Sequence, residues 1–441
     1  MNLTTPPSVQ KLQTALQAKA KGSPGYRFYL LYDKLYREDV LAFAYRCCQA
    51  NGGSAGVDGQ TFADIEAYGL ERWLGELTQV LRTKTYRPQA VRRVWIPKPD
   101  GKQRPLGVPT VTDRVVQMAA GLVLGPIFEA DLPPEQFAYR PGVSALDAIQ
   151  QVHALANTGH REVVDADLSG YFDSIPHSEL MKSVARSISD KHILHLVKMW
   201  LEAPVEEIDD RGHRHRTTRN KDEHRGTPQG APISPLLANL YMRRFVLGWK
   251  VLGYGQRFGA RIVNYADDFV ICCRGAANEA MVTMRSMMER LRLTVNEAKT
   301  RIRRLPAETF DFLGYTIGRC HSGRNHRAYL GTRPSRKAVT RICREISEMT
   351  HRRTRRRSIP EQVTLLNQKL IGWSNYFCRG SVSRAYRAVN SHTRDRLRQW
   401  LRGKHQWSVR GCRAYSARRL YHELGLIDLE LRTRRFPWAK A

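Results

Sequence analysis

The apolar positions of this chain keep two periods, and the places where one gives way to the other divide it into elements. Between residues 61 and 83, Ile65, Leu70, Trp73, Leu74, Leu77 and Leu81 mostly fall three or four apart and predict a helix with one apolar face. The same reasoning predicts helices over 26–49, 144–157, 236–248 and 279–291, and over 113–128 with a break at Gly125-Pro126. An earlier helix ends at Gly22-Ser23-Pro24, and 51–59 is a turn-rich breaker. The period shortens to two at 91–108, where Val91, Val94 and Ile96 lead into a turn over 98–102 and return through Arg104 to Val108, a hairpin studded with cations. Another strand is expected at Val163-Val164-Asp165-Ala166-Asp167-Leu168. After it, Pro176 and Glu179 open a helix to about residue 188. Periodicity alone therefore gives an α+β class. No period of about 20 to 50 residues recurs, which excludes a solenoid.

The oddest interruption is at 264–273, Asn-Tyr-Ala-Asp-Asp-Phe-Val-Ile-Cys-Cys, where two carboxylates separate two apolar runs. It reads as a strand, a tight turn and a returning strand with Asp267 and Asp268 at the tip. By itself this is either a solvated Asp-Asp turn or a cation site. Residues 206–225 are hydrophilic, an exposed loop or hairpin in which His213, His215 and His224 read as a solvated face rather than metal ligands. Residues 226–235 hold two Gly and three Pro and run into the helix at 236, whose N-terminus would offer N–H groups to a phosphate or base.

Charge changes the picture. The chain has 72 Lys+Arg against 41 Asp+Glu over 441 residues, a net +31 with pI near 10.2. Such an imbalance repels itself unless a polyanion is the partner, and nucleic acid is the polyanion it suits. The excess has a polarity: residues 321–441 hold 29 Lys+Arg against 7 Asp+Glu. No basic amphipathic helix dominates, and no stretch reads as a signal peptide or a membrane span, so no membrane partner and a cytoplasmic setting are expected. The eight cysteines include the adjacent pairs Cys47-Cys48 and Cys272-Cys273 and show no C-x-x-C spacing, which points to buried thiols rather than a zinc or disulfide framework.

Asp167 closes one apolar strand, and Asp267 and Asp268 sit between two others. Neighbouring strands would gather three carboxylates, whose repulsion calls for cations. Two Mg²⁺ ions about 3.5 to 4 Å apart are the known solution for in-line phosphoryl transfer. With Asp167-Leu-Ser-Gly-Tyr-Phe-Asp173, Gly226-Thr-Pro-Gln-Gly-Ala-Pro-Ile-Ser-Pro-Leu-Leu-Ala-Asn-Leu240 and Tyr265-Ala-Asp-Asp268 in view, the chain resembles the reverse transcriptase/maturase proteins encoded by group II introns. Ile96-Pro-Lys-Pro-Asp-Gly-Lys-Gln-Arg-Pro-Leu-Gly107, Asn296-Glu-Ala-Lys-Thr300, Phe312-Leu-Gly-Tyr315 and Ile371-Gly-Trp-Ser-Asn-Tyr-Phe377 extend the resemblance over nearly the whole length.

The resemblance implies a right-hand polymerase: a helical N-terminal extension over 1–60, fingers and a palm with an antiparallel sheet over 61–318, and a helical thumb or maturase domain with a short basic tail over 319–441. It implies that Asp167, Asp267 and Asp268 hold the two Mg²⁺ ions beside the Leu168 carbonyl, Asp165 being the nearby rival. Lys98 and Arg104 would grip the triphosphate. Phe172 would exclude a ribose 2′-OH, and Gln229 would lie against the incoming nucleotide. Lys299 would protonate pyrophosphate, with a surface lysine as the alternative. His177 reads as structural, and Trp373 as packing. Arg352, Arg353, Arg355, Arg356 and Arg357 would bind RNA. The implied partners are intron RNA, an RNA template with a DNA primer, dNTPs and target DNA, on the nucleoid when DNA is the substrate. No endonuclease segment is expected, since the paired cysteines and histidines of that domain are missing. Two alternatives stand beside this: a non-catalytic splicing factor, which the intact Asp set argues against, and a polymerase recruited to host defence or repair.

Overall fold

The computed structural model describes residues 3–97, 101, 103–209, 212–322, 325–405 and 415–433. Among the described residues, eleven strands form three sheets. The first sheet contains β1 (Val91–Pro97), β2 (Gln103–Val108), β4 (Val205–Ile208) and β5 (Arg214–Thr217) in the order β2-β1-β4-β5. The second contains β3 (Glu162–Asp167), β6 (Arg261–Tyr265), β7 (Asp268–Cys273) and β8 (Arg301–Arg304) in the order β6-β7-β3-β8, every neighbouring pair antiparallel. The third is β9 (Phe310–Phe312), β10 (Tyr315–His321) and β11 (Ala328–Pro334) in the order β11-β10-β9. These are the fingers, the palm, and a platform joining the palm to a helical C-terminal region.

The palm sheet is apolar on both faces because both are covered. Ile271 and Phe269 join the core made with helix Ser234–Val251 and the N-terminal helices. Val263, Val270 and Cys272 join a second core under helix Ala145–Asn157 and the platform. A third core lies among helices Arg336–Met349, Ile359–Tyr376 and Ser383–His405. The N-terminal helices Pro7–Gly22 and Glu38–Asn51 share the first core with the palm, so residues 3–60 are packed onto the rest of the molecule.

Several expectations are corrected. The helix expected over 61–83 is two, Phe62–Tyr68 and Leu70–Arg82, because Gly69 takes φ +106° between them. Residues 26–31 carry an isolated bridge, Phe28 to Ile188, instead of a helix. The helix Val111–Glu129 runs through Gly125-Pro126 unbroken. Pro126 cannot donate to the carbonyl four residues back, and that carbonyl, Leu122 O, accepts instead from Gln13 Nε2 at 3.0 Å. The same helix is long and apolar enough to cross a membrane by length and composition, contrary to the sequence reading. It is a core helix, 67% buried against its neighbours. Residue 318, where the palm was expected to end, lies inside β10, and Ala328–Pro334 is strand β11 rather than thumb helix. Within the polar stretch 206–225, β4 and β5 pair as a hairpin, in keeping with the expectation. But β4 also pairs parallel to β1, so the hairpin extends the fingers, and Arg219–Asp222 is a short helix.

Candidate active site

The antiparallel register sets Asp167 directly opposite Asp268, the last pair of the β3/β7 ladder at its open end. Asp267 occupies the two-residue turn with Ala266 between β6 and β7, where Tyr265 pairs with Asp268. Such a turn favours φ above zero, and Ala266 takes φ +57° without being glycine. Asn264, fully buried, holds it there: its Nδ2 donates to Ala266 O at 2.9 Å. Asp165 shares a face with Asp167 but lies two residues deeper, opposite Val270, and burial pushes its carboxyl up to about 6 against the pull of Arg303. Asp167 is therefore the carboxylate at the mouth.

Burial, then the charges of Asp267, Asp167 and Asp165, push the Asp268 carboxyl up to about 7. Burial raises Asp267 as well, with Asp167 adding to it. Asp167 is held by the segment just before β8: Asn296 Nδ2 and Lys299 Nζ each lie 2.9 Å from its Oδ2, and Asn296 N donates to its carbonyl at 2.8 Å. The bond to Asp167 in turn holds the Lys299 ammonium above the ordinary lysine range. The expected lysine is thus in the site, although 66% of its side chain is exposed. Leu168, buried, bridges to Val295 beside it.

These carboxylates fit a hard divalent cation by their chemistry. Oxygen donors crowded at one sheet end, with Asp268 raised by burial and then by its neighbours' charge, are relieved by a cation. Among the described residues no three His, Cys, Asp or Glu side chains close round one point. A Mg²⁺ site completed by water and phosphate oxygens needs no such cage.

A cleft of about 510 Å³ opens beside the carboxylates, and Arg104, Phe172, Gln229 and Tyr139 are among the side chains that line it. Arg104 Nε donates to Gln229 Oε1 at 3.0 Å, and Gln229 Nε2 donates to Asp173 Oδ2 at 3.0 Å, a chain from fingers to palm. Close packing makes the link: Gly107 N donates to Gln229 O at 2.6 Å, and a Cβ on Gly230 (φ +108°) would meet Gly107 O at 2.4 Å. Phe172 is 7% exposed and sits edge-on to Tyr171. Its carbonyl accepts from Thr227 N at 2.7 Å, so the Phe172 turn and the Gly226 loop are zipped together. His177 belongs to the same zipper, buried with Nε2 2.8 Å from Gly226 O, a structural place as expected.

Lys98 lies outside the described residues. Arg352, Arg353, Arg355, Arg356 and Arg357 are not brought to this cleft. They form and follow the 3₁₀ turn Arg352–Arg356 in the C-terminal helices, where the first four are exposed. Trp373 packs on Phe377 and Tyr386, as a packing residue does. The sequence reading assigned no role to Asn296, Asn264, Asp173 or Tyr139. Asn296, Asp173 and Asn264 stand within quoted stretches of sequence, but Tyr139 is marked only by where the fold puts it.

A four-stranded antiparallel palm with paired carboxylates at its mouth, under a basic fingers hairpin, defines a right-hand nucleic-acid polymerase. Among known families, the one described as "Reverse transcriptase (RNA-dependent DNA polymerase)" matches residues 96–317, and "Group II intron, maturase-specific domain" matches residues 339–419. The chain belongs to the reverse transcriptase family and carries a group II intron maturase domain. It is similar to Protein YkfC of Escherichia coli, 31% identical over 75% of this chain and 93% of that protein. It is also similar to Group II intron-encoded protein LtrA of Lactococcus lactis subsp. cremoris, 33% identical over 51% of this chain and 36% of LtrA. The putative COX1/OXI3 intron 1 protein of Saccharomyces cerevisiae is 27% identical over 63% of this chain and 38% of its own length. The chain thus spans most of the first relative and little more than a third of the two intron proteins.

Proposed function

We propose that this chain copies RNA into DNA at the mouth of the palm sheet and binds a group II intron RNA through its C-terminal region, assisting splicing and mobility. The observation that carries the first half is the register that sets Asp167 against Asp268 with Asp267 in the adjoining turn. Two Mg²⁺ ions held by these carboxylates and the Leu168 carbonyl would supply Lewis-acid activation of a primer hydroxyl and stabilisation of the leaving oxygen. The side chains do the rest. Arg104, already aimed by Gln229, binds triphosphate oxygens through its planar fork, and Lys98 joins it as a point charge. Phe172 occupies the wall against which a 2′-OH would clash, selecting deoxynucleotides. Gln229 presents its amide to the nucleotide once Arg104 turns to phosphate. Lys299, whose Nζ lies 2.9 Å from Asp167 Oδ2, would be the proton donor for the departing pyrophosphate.

The second half is supported by the exposed arginines 352, 353, 355 and 356, which lie within the matched maturase domain. They suit a phosphate backbone. The deciding experiment is primer extension on an RNA template with Mg²⁺ and dNTPs, run beside intron-RNA binding for the wild type and the Asp267→Ala/Asp268→Ala variant. Loss of cDNA with RNA binding kept supports both halves. A folded wild type that makes no cDNA yet promotes splicing refutes the polymerase assignment.

A further inference from the structure

Tyr139 is out of place for a turn residue. It takes φ +55°, a left-handed conformation that costs a bulky side chain about 1 to 3 kcal/mol and persists only where its surroundings over-determine it. Its surroundings do so on both sides. Before it, Ala138 O accepts from the buried Asn239 Nδ2 at 2.5 Å, and Phe137 N donates to Asn264 O at 2.9 Å. After it, the Arg140 guanidinium donates to Pro133 O, Gln136 O and both Glu129 carboxylate oxygens at 2.6 to 3.1 Å. Clamped between these anchors, a large aromatic side chain remains 50% exposed, and it is exposed into the cleft that Arg104, Phe172 and Gln229 also line. Burial and the nearby Asp267 charge raise its phenol, with Arg104 opposing. Tyr139 and Asp267 also share one frame, because Asn264 accepts from Phe137 N through its backbone carbonyl and donates to Ala266 O through its side-chain Nδ2.

We infer that Tyr139 is a substrate-binding residue: its ring forms a wall of the nucleotide cleft with Phe172 and its hydroxyl donates to an oxygen of the incoming deoxynucleotide's sugar-triphosphate. The inference rests on the polymerase reading above and names a residue that the motifs do not. A solvated turn tyrosine has no use for a strained backbone clamped on both sides, whereas a rigid aromatic wall gains its contact area with little ordering of the side chain. Between the triphosphate-binding arginine and the Asp267 carboxylate, a neutral donor is the group that meets a phosphate or sugar oxygen without adding charge.

The test uses the full chain bound to an RNA template with a dideoxy-terminated DNA primer, Mg²⁺ and the next complementary dNTP, reading the dNTP concentration that half-stabilises the ternary complex. Single-nucleotide KM on an extendable primer is read beside it. The variants are Tyr139→Phe, which removes only the hydroxyl, and Tyr139→Gly, which accepts φ +55° without strain and so keeps the backbone. Tyr139→Phe is expected to raise the half-saturating dNTP concentration about threefold, one neutral hydrogen bond. Tyr139→Gly should raise it about tenfold, ring and hydroxyl together. In both, KM should rise by more than kcat falls, with primer–template affinity within about twofold of wild type. A Tyr139→Gly protein that binds dNTP as the wild type does overturns the inference. Weakened primer–template binding with unchanged dNTP binding overturns it too, by assigning the ring to the duplex. A wild type that forms no dNTP-dependent complex at all refutes the polymerase reading and this inference with it, a result separable from the first two.

Discussion

Acidic charge in the palm and basic charge in the C-terminal helices are held in opposite ways. In the palm, backbone register forces carboxylates together and partly buries them, so that Asp268 is raised to about 7. In the 3₁₀ turn Arg352–Arg356 the backbone is just as firmly fixed. Lys404 Nζ donates to Arg355 O and Arg357 O at 2.9 and 2.8 Å, and Trp400 Nε1 to Thr354 Oγ1 at 3.1 Å. Yet Arg352, Arg353, Arg355 and Arg356 stay exposed, the Arg355 guanidinium lying over Gly403. Crowded, half-buried charge is suited to grip a small cation with fixed geometry. Displayed charge is suited to a long polyanion, where affinity comes from number and counterion release rather than from placement.

The contrast can be broken most severely in the palm. Replacing either Asp267 or Asp268 by Ala should cut primer extension by about 10³-fold or more, the loss of several kcal/mol of charge stabilisation, while RNA binding stays within about twofold. Filter binding alongside extension assays checks this, and a matched fall in both would erase the distinction. Changing Arg352, Arg353, Arg355 and Arg356 together to Gln should do the reverse. RNA affinity should drop by about tenfold or more and the salt dependence should shallow by about three charges, with single-nucleotide addition on a short primer–template kept. A salt titration that gives an unchanged slope would remove these arginines from the RNA surface.

Gly230→Ala sharpens the comparison at the seam between fingers and palm. A Cβ there meets Gly107 O at 2.4 Å in a backbone of φ +108°, so the fingers hairpin must move away from Gln229. About 1 to 3 kcal/mol of strain is expected, seen as weaker dNTP binding with RNA binding unaltered. The smallest effect belongs to Asp190, a third way of holding charge. Burial alone would raise this carboxyl, but N–H groups of Leu31, Tyr32, His192 and Ile193 donate to it and hold it below its usual range. A depressed folded pKa stabilises above the unfolded value near 3.9 and is lost as pH falls through the folded one. Asp190→Asn should therefore cost about 1 to 2 kcal/mol at neutral pH and little in strong acid. Urea melts at pH 7 and pH 3 measure the difference, and equal losses at both would contradict the sign.

The chain's own pattern determined a good deal. Asp167, Asp267 and Asp268 stood out because charge inside alternating apolar runs has few explanations, whereas Phe172, Gln229, Arg104 and Lys299 were named only through the resemblance to group II intron proteins. Local signals also placed the fingers hairpin, the palm hairpin and most helices, since periodicity and turn residues act within a few positions. What only the tertiary structure decided lies between distant segments. Pro126 stays helical because Gln13, more than a hundred residues away in sequence, takes up the carbonyl it frees. β4 joins the fingers because β1 is there to pair with it, and Tyr315–His321 and Ala328–Pro334 are strands because the palm's second face needs a cover. Asp167 lies opposite Asp268 at the end of the ladder and Asp165 two residues deeper, and Tyr139 enters the cleft because Asn239, Asn264 and Glu129 clamp its neighbours. Periodicity carries the face a side chain prefers, whereas a partner's identity is a long-range fact that appears only when the chain has closed on itself.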